Sequence, residues 1–129
     1  MKQLAPKKIK AIILLVAVVI IHILLDLYYR PMAYSKNIND FGLKDSFTQI
    51  TSVIGISLLM IFIEKENFTK GRSGKVFLTL VPVVAMISYE FVQLLLPPLR
   101  FDMQDLIFTF VGGVFTWFIQ GVLSKTHKT

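Results

Sequence analysis

Four apolar stretches, separated by polar and charged segments, set the pattern of this chain. Each is close to the roughly 20 residues that an α-helix needs to cross the hydrocarbon core of a bilayer. The pattern therefore predicts an all-α protein, a four-helix transmembrane bundle that forms a single domain over residues 1–129. The predicted spans cover residues of about 11–29, 47–63, 76–96 and 103–123.

The ends of the first two spans are predicted from local signals. A basic tail precedes the first apolar stretch, as in a secretory signal peptide. We interpret this stretch as an uncleaved membrane helix because it is long and carries no small-x-small cleavage pattern. Pro31 lacks a backbone donor and is predicted to end that helix. Asp45 or Ser46 is predicted to cap the second span.

The third span contains a proline near its middle. The ring of Pro82 removes one backbone donor from the helical ladder. Proline is also the commonest cause of a sharp bend in a helix. The sequence therefore predicts a kinked third helix.

The composition supports a lipid environment. Hydrophobic residues make up 54% of the chain and charged residues 17%, whereas about a quarter of a soluble domain is charged. The net charge is +6, with basic residues in tails and loops, which favours contact with anionic lipid over nucleic acid. The absence of cysteine excludes disulfides, thiolate nucleophiles and cysteine-based metal sites. Neither a cofactor nor a nucleic-acid partner is predicted.

The distribution of basic residues predicts the orientation. Ten lysines and arginines lie in the two tails and the loop between the second and third spans, and four lie in the other two loops. Positive charge favours the cytoplasmic side. We therefore expect a multi-pass membrane protein with both termini in the cytoplasm.

Charged residues interrupt the apolar pattern at the junction of the third and fourth spans. Ionisable groups are costly in a bilayer, so those that persist there usually mark a functional site. Helical spacing places Glu90 and Gln93 on one face of the third span. It also places a polar seam along one side of the fourth span, made of Asp102, Asp105, Thr109, Gly112, Gly113 and Thr116. The two glycines are expected to let another backbone come close.

The first span also carries polar residues near its predicted outer end. His22, Asp26 and Tyr29 share one helical face. His22 is interpreted either as an interhelical hydrogen-bonding residue or as part of a binding site, and Asp26 either as reaching interfacial water or as buried in that site. Both are expected to neighbour the charges at the junction of the third and fourth spans.

These residues carry a resemblance to the VanZ-like membrane protein family. The patterns E90-F-V-Q93, R100-F-D102 and D105-x-x-x-T109-x-x-G112 resemble its signature. Thr109 stands where that family usually has asparagine, and Asp45-Ser46-x-x-Gln49 stands where members often have D-K-x-x-H. The resemblance implies a small integral membrane protein of the Gram-positive cell envelope, located in the bacterial plasma membrane. The family's namesake is associated with teicoplanin resistance, and its molecular activity is unresolved.

The first functional hypothesis is a protein that binds, or acts on, a lipid-linked or amphiphilic ligand at the outer leaflet. In this hypothesis Arg100 contacts an anionic head group, and Glu90 with Asp105 supplies acid–base chemistry. The remaining candidate ligand-binding residues are Gln93, Asp102, Thr109, Asp26 and His22. A Mg²⁺ ion held by the acids is an alternative, although no compact metal motif is present and no metal site is predicted. Whether the protein is an enzyme stays open.

Two other hypotheses need no reaction. In one, Arg100 pairs with Glu90, Asp102 or Asp105 and clamps the outer ends of the third and fourth spans, as in an accessory subunit or sensor. In the other, the chain is a small transporter. Four spans are few for enclosing a path, so a transporter predicts a homo-oligomer.

Overall fold

The computed structural model describes residues 6–63, 71–96 and 103–125, and every regular element in these ranges is a helix. The helices are α1 (Pro6–Leu24), a π-helical turn (Leu25–Tyr29), α2 (Arg30–Ser35), α3 (Leu43–Ile63), α4 (Gly71–Leu95) and α5 (Met103–Lys125). Four helical stretches in this part of the chain are long and apolar enough to cross a membrane: Pro6–Ser35, Leu43–Ile63, Gly74–Leu95 and Met103–Leu123. The predicted all-α, four-helix transmembrane class is confirmed.

Helices α3 and α5 form the central pair of the bundle. Helix α1 packs mainly on α3, and α4 packs on both α5 and α3. The apolar core lies in the half of the bundle where α1 begins and α3 ends. It consists of Ala11, Ile54, Leu58, Ile61, Leu78 and Leu123.

The outer faces of the helices are apolar. On α1, Ile13 and Val16 are more than half exposed, and further along the same span so is Leu27. An apolar surface of this size is a liability in water but matches the hydrocarbon of a bilayer, where lipid-facing residues need no protein partner. The exposure pattern therefore agrees with a polytopic membrane protein.

The central helices approach each other closely at Gly112 of α5. A Cβ atom added there would lie 3.0 Å from the Cα of Ile50 and 3.2 Å from the Cβ of Val53. At neighbouring Gly113, a Cβ would lie 2.8 Å from a side-chain methyl of Val83 on α4. The predicted close approach of another backbone is confirmed at Gly112.

Pro31 does not end the first helix. The π-helical turn Leu25–Tyr29 precedes it, and the chain continues as α2 to Ser35. A proline in the first turn of a helix loses no required hydrogen bond, and a wider π turn separates its ring from the preceding carbonyls. Pro82 is buried inside α4, which runs unbroken through it. The kink at Pro82 stays a prediction.

The loop 36–42 supplies the cap of α3. The backbone N–H of Lys44 donates to Oδ2 of Asp40 at 3.0 Å, which is the role that the sequence assigned to Asp45 or Ser46. That expectation is wrong because the side chain of Ser46 is turned into the bundle, where it is fully buried. The side chain of Asp45 instead accepts a hydrogen bond from the Tyr34 hydroxyl.

A phenol–carboxylate hydrogen bond ties this loop to the first span. The hydroxyl of Tyr29 donates to Oδ2 of Asp40 at 2.7 Å. This bond, followed by those from the backbone N–H groups of Lys44 and Gly42, holds the pKa of Asp40 below its ordinary value of 3.8. A carboxyl group whose pKa is lower in the folded protein stabilises the fold above its unfolded pKa, and this contribution is lost as the pH falls through the folded pKa.

Replacing Tyr29 with Phe removes the donor and leaves the ring. We expect Tyr29→Phe to lower the melting temperature at neutral pH, where Asp40 is ionised. The difference from the parent should shrink once the pH falls well below 3.8. Thermal unfolding in detergent across this range measures it. A difference that stays constant with pH contradicts the role of the ionised carboxylate.

The contact at Gly112 predicts a cost for the smallest possible side chain. Gly112→Ala pushes a methyl group against the backbone of Ile50, and overpacking of this kind costs about 1–3 kcal/mol. Gly55→Ala is the matched control, because its Cβ would meet only Leu15, at 4.0 Å. Unfolding in a denaturing detergent should show a loss for Gly112→Ala and none for Gly55→Ala. Equal stabilities contradict the close approach of α3 and α5.

Candidate functional site

A buried carboxyl group lies where three helices meet. Glu90 of α4 is 0% exposed, and its Oε1 accepts a hydrogen bond of 3.0 Å from the side-chain amide of Gln49 on α3. The amide oxygen of Gln49 lies 3.4 Å from the hydroxyl of Thr109 on α5. The side-chain amide of Gln49, which extends from α3, therefore links α4 to α5.

A second acidic residue lies beside this contact. Oδ1 of Asp105 accepts a hydrogen bond of 2.6 Å from the hydroxyl of Ser46. The backbone oxygen of Asp105 accepts another, of 2.7 Å, from the hydroxyl of Thr109. We refer to Ser46, Gln49, Glu90, Asp105 and Thr109 as the carboxylate cluster.

Helical spacing explains how so few helices build the carboxylate cluster. Ser46 and Gln49 are three residues apart on α3, and Asp105 and Thr109 are four apart on α5, so each pair shares one face. Ser46 and Thr109 are 0% exposed, like Glu90. Buried polar groups are costly unless they are hydrogen-bonded, and in a low dielectric the bonds of a network strengthen one another. The carboxylate cluster is thus a connected polar unit in an apolar bundle.

The cluster lies at one end of the bundle. Ser46 and Gln49 are in the first two turns of α3, Asp105 is in the first turn of α5, and Glu90 is five residues before the end of α4. At about 1.5 Å per residue, Glu90 is about 7.5 Å from that helix end. Glu90 is therefore fully buried although it lies within about one and a half turns of the end of its helix.

The structure brings together three of the predicted site residues, Glu90, Asp105 and Thr109. Gln93 is half-buried, one turn further along α4. Arg100 and Asp102 lie outside the described residues. The role predicted for that arginine, as a ligand contact or as a clamp, therefore stays a prediction.

His22 and Asp26 are not neighbours of the carboxylate cluster. Nδ1 of His22 lies 2.8 Å from the hydroxyl of Thr51. Thr51 follows Gln49 by two residues, about 200° around α3, so the two side chains face opposite sides. Asp26 is exposed and forms an ion pair of 3.2 Å with Arg30. The expected proximity is not found, because α1 packs on the far side of α3.

Sequence reasoning gave too little weight to Ser46 and Gln49. They occupy the places where the resembling family often has lysine and histidine, and neither was named as a candidate site residue. The available signal was their spacing of three along α3, which matches the spacing of Glu90 and Gln93. Polar residues that share a face in a membrane helix usually meet polar residues of another helix.

A second polar contact lies in the other half of the bundle. The side-chain amide of Gln120 on α5 donates to the hydroxyl of Ser57 on α3 at 2.8 Å. Both residues are buried, and no acid takes part in this bond. The ammonium group of Lys75 lies 3.9 Å from the ring centre of Trp117. The amide of Gln120 thus forms an interhelical hydrogen bond like that of Gln49, but its partner is a hydroxyl and not a carboxyl group.

Together, the fold and the carboxylate cluster define a polytopic α-helical membrane protein with a buried polar site at one end. Within residues 6–63, 71–96 and 103–125, no three histidine, cysteine, aspartate or glutamate residues are placed to hold a metal ion. The chain matches no protein-family model, no curated protein and no solved structure.

The bond between Gln49 and Glu90 predicts coupling between these residues. We expect Gln49→Leu and Glu90→Leu each to lower stability, because each leaves a buried polar partner behind. The double variant should be more stable than the sum of both losses implies, by about 0.5–2 kcal/mol, the range for hydrogen bonds between membrane helices. Unfolding of the four proteins in a double-mutant cycle measures the coupling. Additive losses contradict this bond.

Proposed function

We propose that the protein binds a lipid-linked or amphiphilic ligand at the outer leaflet through the carboxylate cluster. The observation that carries this proposal is the full burial of Glu90, whose carboxyl group accepts a hydrogen bond from Gln49 of α3. An acid in such a position is costly, and the acids that membrane proteins retain usually serve a pathway or a ligand.

The groups of the carboxylate cluster suit a polar head group. The two carboxylates accept hydrogen bonds, while the hydroxyls and the amide of Gln49 both donate and accept. A head group rich in hydroxyl or amine groups would replace bonds that the cluster makes internally. In this proposal Arg100 supplies the cation for a phosphate or carboxylate of the ligand, and Glu90 is the group best placed for proton transfer if a bond is broken.

We further propose that the protein is VanZ-like and belongs to the cell envelope. This proposal is supported by the order and spacing of Glu90, Gln93, Asp105 and Gly112 in the sequence. It gains support from the position of Gln49, because a residue from the motif before the second span contacts the glutamate of the third. A link to teicoplanin resistance is part of the same proposal.

The proposed orientation places both termini in the cytoplasm and the loop 36–42 outside. Because the chain lacks cysteine, single cysteines report sidedness directly. We expect Asn37→Cys to react with a membrane-impermeant maleimide in intact cells. A cysteine appended after Thr129 should react only after the cells are permeabilised. The reverse pattern contradicts the orientation and moves the ligand to the inner leaflet.

Ligand binding is tested by native mass spectrometry of the protein purified from a Gram-positive host. We expect the parent to carry a co-purified lipid or lipid-linked molecule, and Glu90→Gln and Asp105→Asn to lose at least nine tenths of it. Gln120→Leu is the matched control, because it removes a buried interhelical amide bond without touching an acid. It should lower stability and keep the ligand.

A structural clamp is the second candidate, as in an accessory subunit or sensor. The observation that favours it is that Gln49 and Ser46 already supply hydrogen bonds to the two acids. Breaking a buried polar pair is destabilising even where nothing binds. A clamp predicts a stability loss for Glu90→Gln as for Gln120→Leu and no bound molecule in the parent. Retention of the ligand by Glu90→Gln also contradicts the proposed site.

A further inference from the structure

The loop 36–42 packs against the outer end of the carboxylate cluster. The carbonyl oxygen of Gly42 accepts a hydrogen bond of 3.0 Å from the backbone N–H of Ser46. A Cβ atom added to Gly42 would lie 2.8 Å from the side-chain amide carbon of Gln104, the residue before Asp105. Gly42 thus lies next to both helices, α3 and α5, whose side chains form the bond between Ser46 and Asp105.

The burial of Ser46 agrees with a covered site. Ser46 is only four residues from the loop and lies in the first turn of α3, where side chains usually reach solvent, yet it is fully buried. The backbone N–H of Ser46 bonds to Gly42 of the loop, and its hydroxyl bonds to Asp105 of α5. The loop therefore adjoins the Ser46–Asp105 end of the carboxylate cluster.

The backbone of the loop is strained close to the start of α3. Phe41 has a φ of 57°, in the left-handed region that bulky side chains avoid. Its ring is 84% exposed, so burial of the ring does not offset the strain. Gly42 follows with a φ of 88°, which glycine adopts without cost. A conformation of this kind persists only where surrounding contacts hold it.

A side-chain bond from Tyr29 to Asp40 joins the loop to the π-helical turn of the first span. Asp40 also accepts a hydrogen bond from the backbone N–H of Lys44 in the first turn of α3. Ile38 accepts one from the ammonium group of Lys44 and donates its backbone N–H to the carbonyl oxygen of Ala33 on α2. Loss of the Tyr29 bond removes a side-chain tie between the loop and the first span, and leaves the strained backbone of the loop less opposed.

We propose that the loop 36–42 is a cover over the Ser46–Asp105 end of the carboxylate cluster. The hydrogen bond from Tyr29 to Asp40 holds the cover closed, and Gly42 packs against the side chain of Gln104 beneath it. The cover controls how water-soluble molecules reach the acids from outside the bundle. Its use as a regulator rests on the proposed function, since a cover matters only to a site that binds something.

Thiol labelling of two reporter cysteines tests the cover. Ser46→Cys places a thiol beneath the loop, and Ser57→Cys places one in the other half of the bundle, where the serine is equally buried. Each reporter is made in the parent, in Tyr29→Phe and in Tyr28→Phe. Tyr28→Phe is the control, because Tyr28 is exposed and has the same chemistry one residue away. The probe is N-ethylmaleimide, applied to protein in nanodiscs without added ligand.

We expect Tyr29→Phe to speed the labelling of Ser46→Cys about tenfold, which corresponds to about 1.4 kcal/mol. The labelling of Ser57→Cys should stay unchanged, and Tyr28→Phe should change neither reporter. Gly42→Ala adds a methyl group against the side chain of Gln104 and should speed the labelling of Ser46→Cys as Tyr29→Phe does. It replaces Tyr29→Phe in the test if that variant does not accumulate.

Two results overturn the cover. Equal labelling of Ser46→Cys in the parent and in both loop variants shows that the loop does not limit access. An equal increase in the labelling of both reporters shows that Tyr29→Phe acts only through unfolding of the whole bundle and not through a cover. The labelling compares access to a thiol between variants and does not measure whether a ligand is bound, so either result leaves the mass-spectrometric test of ligand binding untouched. Absence of a ligand in that test likewise leaves the labelling result standing.

Discussion

The close approach of α3 and α5 at Gly112 is the contact on which the polar architecture depends. Serine and threonine side chains are short, and glutamine reaches only a little further. They meet across two helices only because the Cα of Ile50 lies 3.0 Å from the position that a Cβ at Gly112 would take. The bonds from Ser46 to Asp105 and from Gln120 to Ser57 lie on opposite sides of this contact along the helices. In lipid, where the hydrophobic effect does not drive helices together, packing and hydrogen bonding act jointly.

The bilayer explains why the fold class was predictable from sequence and the site only partly so. A span must satisfy its own backbone, so length and hydropathy suffice to predict four helices. Periodicity predicts which residues of α5 share a face, and Thr109 and Gly112 do face one neighbour. It does not say which helix that neighbour is, so the pairing of Glu90 with Gln49 was not predicted. The error at Pro31 has a local cause, because a π turn left room for the ring. Periodicity alone also could not show that His22 faces away from the acids.

The two buried glutamines show why polar burial alone does not identify a site. Gln49 and Gln120 both donate to a partner on a neighbouring helix, at 3.0 and 2.8 Å. Gln120 meets a serine hydroxyl, and a neutral pair of this kind is explained by helix association. Gln49 meets a carboxyl group, whose transfer into an apolar region is far more costly than that of a hydroxyl. Packing explains the first contact in full. Packing does not explain why an acid, Glu90, is the partner of Gln49, and that leaves a ligand or a clamp as the explanation.

The apolar core and the acids of the bundle lie at different levels along its length. The apolar core around Leu58 and Leu123 lies in the half away from the carboxylate cluster, and the glycine contact lies between the two. A membrane helix that has already inserted stays helical without its partners, because its backbone has no other hydrogen-bonding group to turn to. Changes among the acids therefore act on a scaffold that the other half holds together. This division explains how a chain of 129 residues accommodates a fully buried glutamate. The acid needs only the local support of Gln49 and its neighbours, while the apolar half keeps the helices in register.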